Sequence, residues 1–505
     1  MKRYFNIFIF MAASAVLLSS CDKEWLNPAP ENELVLSDST FMDPDNATKF
    51  VNAAYANLLT WEQSAFSWIG VASITSDDAD KGSDPGDLGA DKDQMDAISY
   101  TSTSMSVGEI WKGNYQGISN CNQAIANVPN FDISAELKNR LIAEARFLRA
   151  YYYFNLVRCY GDVPLVDKVI DSENPDDLVR ANTRAPKETI YEDLIKTDLE
   201  FAINTLPEAY DAANLGRATK AAAAGLLAKV NLYQQNWQQA FDLSNQIING
   251  QFGNYGLVPD YATIWREVGE NSIESLFEVQ AIVGTPVAAP QQFCTPQGIR
   301  GGQFSFVGIN GRDTSAVGGW GFNTPSEDLF NAYEPGDLRK KATIISVGDT
   351  LFDGVIIVNA ANAHYNYKTY VSKYQETYNG NDDRTNKNIR ILRMGEIYLI
   401  HAEAVNELGN TGAAASSLNA VRNRAGLADT EASGKEALRL AIWKERRLEL
   451  AMEYDRFFDL IRQGRAGVVL RALGKNFVDG KNEVFPIPQS EISASGNKLT
   501  QNPGY

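Results

Sequence analysis

The chain is poor in the side chains that carry most metal and nucleophile chemistry. It has two histidines, His364 and His401, and four cysteines in 505 residues. Two imidazoles leave little material for a multi-histidine metal centre. Four thiols cannot build a dense disulfide framework. No CxxC pair, Gly-x-Ser-x-Gly elbow, HExxH helix or phosphate-binding glycine loop occurs. Basic residues are in deficit, with 46 Lys and Arg against 63 Asp and Glu for a formal charge of −17. Such a chain lacks the clustered cations that release counterions from a phosphate backbone, so nucleic acid is excluded as a broad partner. Apolar runs are short: beyond residue 20 none reaches the roughly 18 residues of a spanning helix. Aromatics, by contrast, are plentiful, with 8 Trp, 22 Tyr and 23 Phe. That content is too high for a disordered chain and sufficient for a large core.

Residues 1–20 read as an address rather than as fold. Lys2 and Arg3 give a basic start, residues 4–18 are apolar apart from Asn6 and Ser14, and Leu18-Ser19-Ser20-Cys21 follows. Small residues ahead of a cysteine suit a peptidase that cuts before Cys21, whose thiol then carries lipid. The pattern resembles a bacterial lipoprotein signal; an ordinary secretory signal with a chance cysteine is the competing reading. Loss of Lys2 and Arg3 with the leader takes the charge to about −19. The processed chain is therefore expected to be anchored to a membrane without spanning it. Residues 21–40, polar and holding Pro28 and Pro30, read as a tether. Cys121, Cys159 and Cys294 read as buried small hydrophobes, with at most one bridge among them.

Helical spacing dominates two stretches. Residues 41–59, 109–128, 134–160 and 187–206 carry apolar stripes, as do 218–234 and 238–249, and later 392–408 and 412–424. Leu141, Ala145, Leu148, Tyr152 and Leu156 form the clearest stripe. Ser134 opens its helix and Gly161 closes it. Alanine-rich first helices followed by short polar breaks predict stacked helical hairpins, about four of them, because small residues let helices approach closely. The period resembles tetratricopeptide repeats without their full Trp-Leu-Gly-Tyr pattern. Residues 76–104 are acidic and glycine-containing, and read as a long loop. From 251 to 386 helical periodicity fades; residues 275–281, 342–347 and 354–358 are expected as short strands in an irregular, glycine-rich region suited to ligand binding. Residues 434–462 read as one charged helix, with Arg446/Glu449, Glu453/Arg456, Arg456/Asp459 and Asp459/Arg462 at i,i+3.

Several of these segments together resemble the SusD/RagB family of outer-membrane nutrient-uptake lipoproteins. The tether 21–28 (CDKEWLNP), residues 144–154 (EARFLRAYYYF) with 160–165 (YGDVPL), and 393–403 with 418–427 (LNAVRNRAGL) carry the match. Residues 445–447 (ERR), 455–462 (DRFFDLIR), 485–488 (FPIP) and the terminal QNPGY complete it. Gln463 stands where the family often has Trp, and Tyr454 where Gly is common. The resemblance implies a mainly α fold: a tetratricopeptide-like hairpin scaffold with a loop-rich half carrying short strands. It implies one SusD-like unit over 41–505, with an N-terminal helical part (41–250), a ligand-binding insert (251–386) and a C-terminal part (387–505). It further implies a lipid-anchored, outward-facing protein that captures oligosaccharides for a SusC-like TonB-dependent transporter. Peptide capture, or a purely transporter-associated role, is the alternative on the same scaffold. No enzymatic activity is implied, and no binding residue transfers by motif.

Sugar rings present C–H faces that stack on aromatic planes, and hydroxyls that need Asp, Asn, Gln or Arg. Trp320, within Gly318-Gly319-Trp320-Gly321-Phe322-Asn323, is therefore the leading platform residue, with Phe322 and Asn323 beside it and Arg312 and Asp313 as polar partners. A core plug under a loop is the competing reading for Trp320. Trp61 and Trp68 are candidates for a second face, against helix-end packing. Asp77 and Asp78 are candidates for sugar hydroxyls, against helix capping. Trp111, Trp237 and Trp443 fall on helices and are expected in the core. The acidic stretch offers oxygens for Ca²⁺ but lacks the EF-hand glycine and closing Glu, and so reads as a solvated charged loop. No resident cofactor is expected. His401 is expected to pack on its helix and His364 to be exposed.

Overall fold

A computed structural model describes residues 41–505 apart from 42, 85–86, 88, 282–291, 307–317 and 379–384. Cys21 and its tether, and Arg312 and Asp313, lie outside the described residues. The scaffold is a continuous stack of helices: α1 (Asp45–Ala56), α2 (Gly89–Ala97), α3 (Met105–Asn127), α4 (Ala135–Tyr160), α5 (Thr197–Thr205), α6 (Lys220–Tyr233), α7 (Trp237–Ile248), α8 (Met394–Glu407), α9 (Thr411–Arg424) and α10 (Lys435–Glu449). The pairs α3/α4, α6/α7 and α8/α9 are hairpins, and α7 packs on α8 so that hairpins far apart in sequence become neighbours. The boundaries follow local chemistry. Ser134 accepts a hydrogen bond from the Leu137 N–H, and Gly161 ends α4 at a φ of +72°. Thr219 caps α6 and Asn410 caps α9 in the same way. The alanines of α6 and the Tyr151–Phe154 row of α4 are buried in one core. Cys121, Cys159 and Cys294 are buried, and no disulfide joins any two of them.

Ten short strands form five antiparallel pairs among the described residues. In chain order they are β1 (Ala79–Gly82), β2 (Val163–Pro164), β3 (Arg184–Ala185), β4 (Ser275–Val279), β5 (Gln303–Phe306), β6 (Phe322–Pro325), β7 (Ile344–Ser346), β8 (Val355–Asn359), β9 (His364–Asn366) and β10 (Ile389–Arg393). The β1–β6 pair sets Asp80 opposite Thr324 and thereby ties the acidic stretch to the glycine-rich region. That region owns a small core, with Phe304, Ile345, Val355, Ile357 and Tyr365 at its centre.

Four sequence expectations are corrected. Residues 76–104 are not a long loop, because they hold β1 and α2. The Lys92 side chain is buried there, with its ammonium on Asp91 at 2.6 Å and on the Ser106 hydroxyl at 2.8 Å. The eighth helix begins after β10, since residues 389–393 pair with β4. Residues 434–462 are two helices, α10 and α11 (Arg456–Arg462), parted by a turn in which Met452 and Tyr454 take φ of +64° and +71°. Of the four expected i,i+3 ion pairs, the structure forms the Asp459–Arg462 one. Arg446 instead reaches Glu396 and Asp459, and Arg456 grips Asp77. These charges are buried, where each needs close, well-aligned partners to offset its desolvation, and the elements packed around them supply those partners.

Candidate functional site

The glycine-rich segment brings Trp320 to the N-terminal helices. Its backbone runs along residues 295–299: the Trp320 N–H donates to the Thr295 carbonyl and the Gly321 N–H to the Gly298 carbonyl, both at 3.0 Å. Gly319 makes this approach possible, since a Cβ there would lie 2.3 Å from backbone atoms of Gly298. The indole meets Trp61 with ring centres 6.0 Å apart and planes at 47°. Phe66 lies against both indoles, 5.6 Å from Trp61 and 6.0 Å from Trp320, and Phe322 lies edge-on to Phe66 at 4.8 Å. Phe66 and Phe322 are buried, whereas Trp61 and Trp320 are half-buried. The buried Lys92 ammonium sits 3.8 Å from the Phe66 ring centre, a cation–π contact that fixes the floor of the cluster.

Polar groups border this ledge. Arg300 pairs with Asp84 at 2.8 Å and Asp87 at 2.5 Å, and also donates to the Trp320 carbonyl at 3.3 Å. The Ser83 hydroxyl, then the Asp84 N–H and Arg300, hold the Asp87 carboxyl below its usual range. On the Trp61 side, Lys112 pairs with Glu62 at 3.5 Å. Two angled indoles with a guanidinium and carboxylates alongside supply stacking faces and planar hydrogen-bonding groups together.

The other candidates serve the scaffold. Trp68 is 8 % exposed and stacks on Phe458 at 6.0 Å, so it forms no second face with Trp61. Phe322 is core, and Asn323 is fully buried, donating to Gln297 at 2.7 Å. Asp77 and Asp78 are each 1 % exposed. Arg456 grips both Asp77 oxygens, at 2.7 and 2.8 Å, and Arg447 holds Asp78 at 2.7 Å. Their carboxylates therefore satisfy buried guanidiniums rather than face a ligand. Trp111 is core, while Trp237 and Trp443 pack half-buried. His364 is not free in solvent: it stacks on Phe330 at 4.2 Å and contacts the Ser346 hydroxyl at 3.0 Å. His401 is buried beside Phe241 with its ring on Ser417, and burial lowers its pKa. Lys81 pairs with Asp93 and Lys475 with Asp96, and no group of three His, Cys, Asp or Glu is placed to hold a metal among the described residues. Arg300, Phe66 and Lys92 were not legible as site residues. Nothing in their local sequence marks them, because strand pairing and helix packing bring them to Trp320.

Comparison with known proteins gives a consistent pattern. Residues 353–505 match the sequence model of the SusD family, and residues 45–232 match one described as starch-binding and associating with the outer membrane. A SusD-like protein P2 of Formosa agariphila is 26 % identical, with 100 % of each chain aligned. A laminarin-binding SusD-like protein superposes with a TM-score of 0.78 at 28 % identity, covering 92 % of this chain and 100 % of its own. Surface glycan-binding protein A of Bacteroides thetaiotaomicron, solved with laminarihexaose, gives 0.74 at 28 % identity, covering 91 % and 99 %. No helix among the described residues is long and apolar enough to cross a membrane.

Proposed function

We propose that this chain, which belongs to the SusD/RagB family, captures oligosaccharides at the cell surface on the Trp61–Trp320 ledge and delivers them to a TonB-dependent outer-membrane transporter. The observation that carries the reading is the pair of half-buried indoles, 6.0 Å apart, bordered by Arg300 and its two carboxylates. Similarity to a laminarin-binding protein and to one solved with laminarihexaose supports a glycan ligand. Cys21 is the proposed lipid anchor, holding the protein to the outer membrane facing outward. The role is binding without catalysis. At the ledge, Asp84 and Asp87 share one guanidinium, so neither stands as a free acid across a cleft from a second carboxylate.

The test is calorimetric titration of the processed protein with a panel of neutral glycans. Stacking of C–H faces on indoles is not screened by ions, so affinity is expected to persist at high salt. Trp320→Ala and Trp61→Ala are each expected to weaken binding about tenfold, near 1.4 kcal/mol. Unchanged affinity in both variants, or binding of peptides alone, overturns the reading. Transporter association is tested separately by mild solubilisation of outer membrane. Co-purification with a TonB-dependent barrel is expected, and recovery of the protein alone counts against delivery.

A further inference from the structure

We propose a second carbohydrate site, separate from the ledge, in the cleft that Tyr210 and Tyr255 line. The cleft encloses about 410 Å³, inside the roughly 300–1,000 Å³ of small-ligand sites. It lies where the loop between α5 and α6 meets residues 253–255 and the approach to β4, and it shares no lining residue with the Trp61–Trp320 ledge. Both tyrosine rings are half-buried, while Leu215 and Ile273 in the lining are 56 % and 51 % exposed. Gly253, at a φ of +121°, keeps an edge of the Tyr255 ring clear: a Cβ there would stand 3.1 Å from Cε2. The cleft thus offers aromatic and aliphatic surface suited to the C–H faces of a sugar.

Its polar groups divide into engaged and unengaged. Arg217 is engaged through each of its nitrogens, on Glu144 and Asn52 at 2.8 Å each and Asn214 at 3.2 Å. Glu278 accepts from the Asn271 N–H at 3.0 Å and from Asn388 at 2.9 Å. The side chains of Glu208, Asn254 and Ser272, by contrast, have no hydrogen-bond partner among the described residues. An acceptor, an amide and a hydroxyl left free beside two phenol rings match the alternating C–H and O–H character of a sugar. Glu208 is the unengaged charge among these three, so neutral or amine-bearing sugars fit and uronate or sulfated ones are repelled. The choice of carbohydrate as ligand rests on the glycan-capture reading above.

The test is calorimetric titration of Trp61→Ala/Trp320→Ala protein, its folding checked by circular dichroism, with laminarihexaose and other neutral hexasaccharides. Residual binding is expected. Adding Tyr255→Ala should weaken it about tenfold, adding Tyr255→Phe should preserve it, and adding the exposed Asn254→Ala should weaken it without touching the core. Complete loss of binding in the double variant overturns the cleft and leaves the ledge standing. Residual binding indifferent to both Tyr255→Ala and Asn254→Ala also overturns it. Wild-type affinity in the double variant, lost with Tyr255→Ala, upholds the cleft and overturns the ledge. Failure of the wild type to bind any neutral hexasaccharide overturns both.

Discussion

Asp77 is 1 % exposed and gripped at both oxygens by Arg456. Burial pushes its carboxyl up, but Arg456 and Arg447 more than offset this and hold it at about 2. The unfolded carboxyl releases its proton near 4. The native state therefore favours the ionised form, and the resulting stability is fully present above pH ~4 and lost as pH falls toward 2, about 2 kcal/mol in all. Urea unfolding of wild type and Asp77→Asn over that window should show the variant losing less stability on acidification. Parallel curves would refute the assignment to Asp77. Tyr454 illustrates the same dependence on surroundings. Its φ of +71° is one that glycine adopts without strain. This chain keeps a tyrosine whose ring is buried and whose hydroxyl donates to Gln297 at 2.9 Å. Losing a buried aromatic side chain costs about 3–5 kcal/mol, more than the ~1–3 kcal/mol of a left-handed backbone.

Helix contacts depend on where the small residues fall. In α3, a Cβ on Gly117 would lie 2.4 Å from the Tyr152 ring of α4. That ring cannot yield, because its hydroxyl is tied to the Ala54 carbonyl at 2.7 Å. Gly117→Ala should therefore cost about 1–3 kcal/mol through overpacking. Gly108, in the same helix, has nothing within 4 Å of its missing Cβ. Gly108→Ala should instead stabilise by about 0.5–1 kcal/mol, through helix propensity. Chemical denaturation of both variants separates the contributions; equal effects would sink the packing argument. The alanine-rich hairpins and the Ser134 cap were legible because they depend on neighbours three or four residues away. Helix α2 was not, since its burial rests on Lys92 meeting Ser106 and Phe66 from other segments. The break after α10 was equally hidden, because Met452 and Tyr454 are not residues that announce a left-handed turn.

At the scale of the molecule, a buried ionic network joins the C-terminal part to the loop-rich region. Glu449 meets Arg339 at 3.2 Å, Arg393 at 2.5 Å and Arg424, linking α10 to β10, α9 and the segment before β7. Burial raises this carboxyl, yet Arg424, Arg393 and Arg339 together hold it well below the usual carboxylate range. Glu449→Ala leaves those guanidiniums buried without a shared partner, and should destabilise by about 3–5 kcal/mol in urea unfolding. A loss below about 1 kcal/mol would show the network to be dispensable. The chain's last residues are bound in similarly: Asn502 donates to the Tyr160 carbonyl at 3.0 Å and the Phe485 carbonyl at 2.7 Å, joining the terminal QNPGY run to α4.

Sequence alone determined the helical class, the hairpin arrangement, the family resemblance and the aromatic loop centred on Trp320. Each is written in local spacing or in runs of consecutive residues. Tertiary structure alone decided which aromatics and carboxylates face outward. Trp61 and Trp68 are seven positions apart, yet one meets Trp320 at the surface and the other stacks on Phe458 in the core. Asp77 and Asp78 disappear under Arg447 and Arg456, while Asp84 and Asp87 reach Arg300 at the ledge. The physical reason is that exposure and charge pairing depend on which distant elements close over a residue, and those contacts follow from packing the whole chain rather than from its neighbours along it.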